Sequence, residues 1–139
     1  MYGFDTIYDV KLDDNELIKI AESQGRTLLT SDRELFRRAT NRSISAVLIA
    51  GDDDSTRLAS VLSSLQIAGE LNPERSRCSV CNGLLEEAIK SSLIDVPKTV
   101  LERQERFYAC KSCGKVYWHG SHWRKMKSMA EIVRKRAQT

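Results

Sequence analysis

The sequence predicts a mixed α/β protein: a small parallel sheet with helices, then a ribbon closed by four cysteines, then a basic helix. Three observations carry that prediction. Up to about residue 72, strand-like and helix-like segments alternate with short connections, as parallel strands joined by crossover helices do. The chain's four cysteines fall in two close pairs, Cys78-x-x-Cys81 and Cys110-x-x-Cys113. Beyond Ser121, apolar residues recur at helical spacing among lysines and arginines. The expected organisation is an α/β domain over residues 1–72, a ribbon over 73–123 and a basic helical tail over 124–139.

The elements follow in order. Thr6-Ile7-Tyr8 reads as a first short strand. Asp13 is placed to cap a helix, and Glu16 three residues on completes a reciprocal capping box; Leu17, Ile18 and Ala21 form the apolar side and Gly25 the stop. Arg26 to Thr30 is a buried strand. Ser31 opens the next helix with Glu34 at its third position, and Leu35, Phe36 and Ala39 face the sheet. Ala46-Val47-Leu48-Ile49-Ala50 is the clearest strand. Gly51 and the run Asp52-Asp53-Asp54 form the loop after it, and Ser55 starts a helix carrying Leu58, Ala59, Val61, Leu62 and Leu65. Asn72-Pro73 closes this part. Pro97 suits the first turn of a helix through Val100, Leu101 and Gln104. Phe107-Tyr108-Ala109 and Val116-Tyr117-Trp118 make a hairpin around the second cysteine pair, and the last helix sets Trp123, Met126, Ala130 and Val133 on one side.

The cysteine spacing is that of a tetrahedral zinc site, because each pair puts two thiolates on one tight knuckle and two knuckles close a four-sulfur cage. Gly83 and Gly114, just past each second cysteine, relieve the turns. Two disulfides or a redox dithiol fit less well, since Met1-Tyr2-Gly3-Phe4-Asp5 does not resemble a signal peptide and a redox pair needs no twin. A closed site of this kind is structural: His119 and His122 are not needed to complete it. No stretch approaches the roughly 20 apolar residues of a membrane span, and the expected location is the cytoplasm.

Charge is distributed unevenly. The 22 lysines and arginines exceed the 19 acids by only three, but the front holds most of the acids. From Lys111 onward the chain has Lys111, Lys115, Arg124, Lys125, Lys127, Arg134, Lys135 and Arg136 against the single acid Glu131. A basic end beside a ribbon suits a polyanion, and a solvated helix face gives the same pattern.

At Leu28-Leu29-Thr30-Ser31-Asp32-Arg33-Glu34-Leu35 the chain resembles the "LLTRDREL" signature of the Mut-seven C-terminal RNase domain family, a PIN-like nuclease fold followed by a zinc ribbon. The ribbon agrees: Ser76-Arg77-Cys78-x-x-Cys81-Asn82-Gly83, then Cys110-x-x-Cys113-Gly114-Lys115-Val116-Tyr117-Trp118 and Gly120-Ser121-His122-Trp123 are similar to that family's pattern. The resemblance runs from about Gly3 to Met126. It implies a truncated PIN-like sheet, because the first strand with its aspartate and the long helix that usually precede Gly3-Phe4-Asp5-Thr6 have no counterpart. It also implies that Asp14 and Asp32, with Glu34 beside them, correspond to acids that hold Mg²⁺ or Mn²⁺ in PIN-like nucleases.

Read as chemistry alone, the same acids sit at helix starts, where carboxylates satisfy free backbone N–H groups. Asp52, Asp53 and Asp54 are a reserve of carboxylate or a solvated loop. Tyr117, Trp118, His119, His122, Trp123 and Arg124 form an aromatic and basic cluster, in which Trp118 and Trp123 are expected to be core and His122, Arg124, Lys125 and Lys127 to contact RNA. The expected function is an RNA-binding zinc-ribbon protein derived from a PIN-like RNase, non-catalytic or weakly catalytic, seated on structured RNA such as rRNA or the ribosome. The alternatives are an active Mg²⁺- or Mn²⁺-dependent endoribonuclease and a zinc-stabilised protein adaptor.

Overall fold

The computed structural model describes residues 2–67 and 70–138. They form two compact units: Met1–Ile7 with Gly69–Glu131, and Tyr8–Ala68 with Ile132–Thr139. This division departs from the linear 1–72, 73–123 and 124–139 at both ends. The first residues belong with the ribbon, and the boundary falls inside the last helix.

The α/β unit contains α1 (Asp14–Gln24), β1 (Leu28–Thr30), α2 (Arg33–Asn41), β2 (Ala46–Leu48) and α3 (Asp54–Ser64). β1 and β2 are parallel, with Leu28 opposite Ala46 and Thr30 opposite Leu48. Ile18 and Ala21 from α1, Leu28 from β1, Leu35 and Ala39 from α2 and Ile44 make the buried core, with Leu17 and Ala46 packed against it. Both strands are shorter than the sequence suggests, and β1 is not wholly buried, since Leu29 remains 42% exposed.

Helix starts explain much of the local structure. The Asp13 carboxylate accepts from the Glu16 N–H at 2.9 Å and the Glu16 carboxylate from the Asp13 N–H at 2.9 Å, the reciprocal box the sequence announces. Gly25 ends α1 in the left-handed region, at φ 62°. The cap of α2 is Asp32 rather than Ser31, and the cap of α3 is Asp53, so that helix starts before Ser55. In each case the aspartate reaches back to free amides of the first turn. The Asp53 carboxylate is held far below the usual range, first by the Ser55 hydroxyl and then by the Thr56 amide. The Arg136 guanidinium, near the end of the last helix, donates to Asp53 at 3.2 Å, to Ser55 at 2.7 Å and to the Thr56 hydroxyl.

The ribbon unit contains β3 (Leu85–Ala88), α4 (Lys98–Arg103), β4 (Phe107–Cys110), β5 (Val116–Trp118) and the start of α5 (Ser121–Ala137). The three strands form an antiparallel sheet in the order β3-β4-β5, with Leu85 opposite Cys110 and Phe107 opposite Trp118. Phe107 is fully buried, and Tyr108 is only 4% exposed. Thr6-Ile7-Tyr8 forms no strand. Instead, the Thr6 N–H donates to the Asn82 side chain at 3.1 Å, the Asn82 amide donates to Asp5 at 2.6 Å, and Arg77 donates to the Gly3 carbonyl at 3.2 Å. A Cβ at Gly3 would lie 2.3 Å from the Arg75 carbonyl oxygen, so only glycine permits this approach.

Candidate metal centre and adjoining cleft

Each cysteine pair sits on a backbone loop of the same design. In the first, the Cys78 N–H donates to the Gly83 carbonyl at 2.8 Å and the Asn82 N–H to the Cys78 carbonyl at 2.9 Å. In the second, which is the β4–β5 turn, the Cys110 N–H donates to Lys115 and the Gly114 N–H to Cys110, both at 2.9 Å. Gly114 lies at φ +76° with open space around its missing Cβ, so conformation selects glycine there. In the first loop the positive φ falls on Asn82, and Gly83 serves another purpose: a Cβ on it would lie 2.7 Å from the Cys110 sulfur and 2.7 Å from the Ser112 hydroxyl. The glycine lets the two knuckles meet.

Where they meet, the four sulfurs lie within 4.8 Å of one another. Cys78 and Cys113 are 3.6 Å apart and Cys81 and Cys110 3.3 Å. Metal–sulfur bonds of about 2.3 Å at tetrahedral angles set an edge of roughly 3.8 Å, so the donor set fits one four-coordinate ion. Among the described residues these cysteines are the one group of His, Cys, Asp or Glu side chains close enough to share an ion. Amide N–H groups of Val80, Ser112 and Cys113 point at the Cys78 and Cys110 sulfurs, and the Tyr117 hydroxyl lies 3.0 Å from Cys78. Burial raises the Cys78 thiol, but Tyr117, Cys81 and Val80 outweigh it and bring it down to about 6. Cys81 is pushed up to about 12: the Gly83 amide favours its thiolate, but the neighbouring cysteines disfavour another negative charge. A divalent cation removes that conflict, because it lets all four thiolates coexist.

Beside the knuckles, the β4–β5 hairpin and the first turns of α5 line a cleft of about 390 Å³. His119 stacks on Trp123 with ring centres 4.6 Å apart and planes 14° apart, and on Tyr108 at 5.7 Å and 30°. Burial, and then the charges of Arg106 and Lys127, hold His119 below its ordinary value, which favours the neutral imidazole. Trp118 and Trp123 are half-buried and line the cleft rather than lying in the core. A Cβ on Gly120 would lie 2.9 Å from the Trp118 indole nitrogen, so glycine permits that close packing. His122 lines the same cleft, and Arg124, Lys125 and Lys127 are exposed along α5. The sequence marked this aromatic cluster but not Tyr108 as part of it; the pairing of Tyr108 with Tyr117 across the hairpin sets its place.

The acids form no comparable centre among the described residues. Asp32 accepts from the Glu34 N–H at 2.7 Å and the Leu35 N–H at 3.0 Å. Glu34 pairs with Arg37 at 2.6 Å, and that hydrogen bond lowers its carboxyl. Asp14 lies 3.7 Å from Arg38, which also donates to Asn15. No helix among the described residues is long and apolar enough to cross a membrane. A family model, the Mut7-C RNAse domain, matches residues 1–130. Comparison with curated proteins and with solved structures finds no match.

Proposed function

The chain belongs to the Mut7-C RNAse domain family, and from that premise we propose that it is an RNA-binding protein with little or no nuclease activity of its own. Its four cysteines hold one structural zinc, which fixes the two knuckles and through them the hairpin beside the cleft. His122, Arg124, Lys125 and Lys127 face the phosphates of a structured RNA, with rRNA the proposed class and the cytoplasm the proposed setting. One observation carries the low activity: Asp32 spends its carboxylate on the amides of α2, and Glu34 and Asp14 lie beside Arg37 and Arg38. A carboxylate beside a guanidinium attracts a divalent cation less, and acids that form no cluster of three or more among the described residues position one poorly.

A second reading has one observation in its favour. Asp32 follows β1 and Asp52 to Asp54 follow β2, the carboxyl ends at which PIN-like nucleases gather Mg²⁺ or Mn²⁺. Single-turnover cleavage of a structured RNA in either metal, with and without EDTA, separates the two. We expect negligible cleavage in all arms; robust cleavage that EDTA abolishes would replace the first reading with a metal-dependent endoribonuclease.

A further inference from the structure

We propose that the cleft beside the knuckles is a pocket for one unpaired RNA base, stacked against the His119–Trp123 pair and read by the Tyr108 hydroxyl and the His119 imidazole. The inference rests on the RNA-binding reading above and adds a site to it.

The first observation is that the Tyr108 hydroxyl and the His119 Nε2 are both buried without a hydrogen-bond partner among the described residues. The two rings are neighbours in one stack and both line the cleft. Buried polar atoms in folded proteins are nearly always paired, and an orphaned pair on two residues that line one cleft marks a place where a ligand can supply the partners once the side chains adjust to it. A phenol and a neutral imidazole together present donor and acceptor capacity, which is what the edge of a nucleobase complements.

The second observation is the character of the walls. Tyr108, Tyr117, Trp118, His119 and Trp123 give flat π-surfaces, and Lys115 lies 5.3 Å over the Tyr117 ring. Among the described residues the lining includes Arg77, Lys115 and two histidines and no carboxylate. Aromatic faces with cations at the rim select a flat, hydrogen-bonding group attached to phosphate. At about 390 Å³ the cleft lies near the small end of ligand sites. That is room for a splayed-out nucleotide and too little for a duplex. The exposed cations of α5 then hold the strand on either side of the base.

The test uses the whole chain and short RNA oligonucleotides that carry, at one unpaired position, 2-aminopurine, a natural base or an abasic site. We expect 2-aminopurine fluorescence to be quenched on binding, and the abasic oligonucleotide to bind about tenfold more weakly, as the loss of stacking and one or two hydrogen bonds implies. Tyr108→Phe and, separately, His119→Gln should shrink the difference between base-bearing and abasic RNA while leaving the salt dependence intact. Tyr108→Phe should also melt at the same temperature or higher, because it deletes a hydroxyl that has no partner among the described residues; a purely structural tyrosine would melt lower. Equal affinity of the parent for base-bearing and abasic RNA would overturn the pocket and leave RNA binding standing. Failure to bind any RNA would overturn both. A free nucleoside monophosphate that binds as tightly as the oligonucleotide would reassign the cleft to a mononucleotide and overturn the RNA proposal.

Discussion

Replacing Asp32 separates helix capping from metal binding. Its carboxylate accepts two first-turn amides of α2, at 2.7 and 3.0 Å, and the residue is exposed. Asp32→Ala leaves those amides to water, which an exposed site supplies, so the loss belongs near the middle of the capping range, about 1 kcal/mol. In a small domain that lowers the melting temperature by roughly 4–8 °C. Asp32→Asn keeps an acceptor oxygen in the same place, and asparagine caps about as well as aspartate, so it should melt close to the parent. As a metal ligand the order inverts, because asparagine removes the charge a divalent cation needs. Thermal unfolding followed by circular dichroism, beside single-turnover RNA cleavage on the same samples, measures both. Asp32→Ala with no change in melting would refute the capping account of this residue, and Asp32→Asn that melts like the parent but abolishes a metal-dependent cleavage would show that the carboxylate also holds a metal.

Three further outcomes are expected. Metal analysis of the purified protein should find one zinc per chain; Cys78→Ser or Cys113→Ser should release it and unfold the ribbon, and Gly83→Ala should weaken retention because its Cβ meets the Cys110 sulfur at 2.7 Å. Alanine at Arg124, Lys125 and Lys127 together should lower RNA affinity and flatten its dependence on salt, by about 0.7–0.9 in logarithmic slope for each phosphate that is no longer neutralised; an unchanged slope places the electrostatic footprint elsewhere. The folded ribbon favours neutral His119, so its contribution is present above the ordinary histidine value of 6.5 and is lost as pH falls below it; denaturant unfolding across that window should show a decline that His119→Gln reduces, and equal pH profiles would sink the assignment.

The sequence made some of this legible because the causes are local. The capping box of Asp13 and Glu16, the two Cys-x-x-Cys knuckles and the hairpin around the second are specified by residues a few positions apart. β3 was not legible: Leu85-Glu86-Glu87-Ala88 exposes both glutamates and lacks β-branched residues, so pairing with β4 rather than propensity makes it a strand. The shift of the α2 cap from Ser31 to Asp32 escaped because adjacent residues were both good caps and only geometry chooses between them. The first residues misled for the opposite reason. Their hydrogen bonds go to Asn82, 77 positions from Asp5, and no local pattern encodes a partner so distant. The cysteine cluster could be read from spacing, but the orphaned Tyr108 and His119 could not, since burial and missing partners are properties of the folded chain.

The tie between Gly3–Thr6 and the first knuckle makes the segment Tyr8–Ala68 topologically an insertion, leaving and re-entering the same unit. A chain emerging from the ribosome presents that segment well before Cys110 and Cys113 exist, so its helices and strands are made before the cage can close. Once the second knuckle arrives and the cage closes, the ends are brought under one constraint, and the unfolded form of the inserted segment becomes a closed loop with fewer conformations. Metal capture thus acts late, on the two ends of the segment. Chelation is expected to loosen that segment through the entropy of its unfolded state.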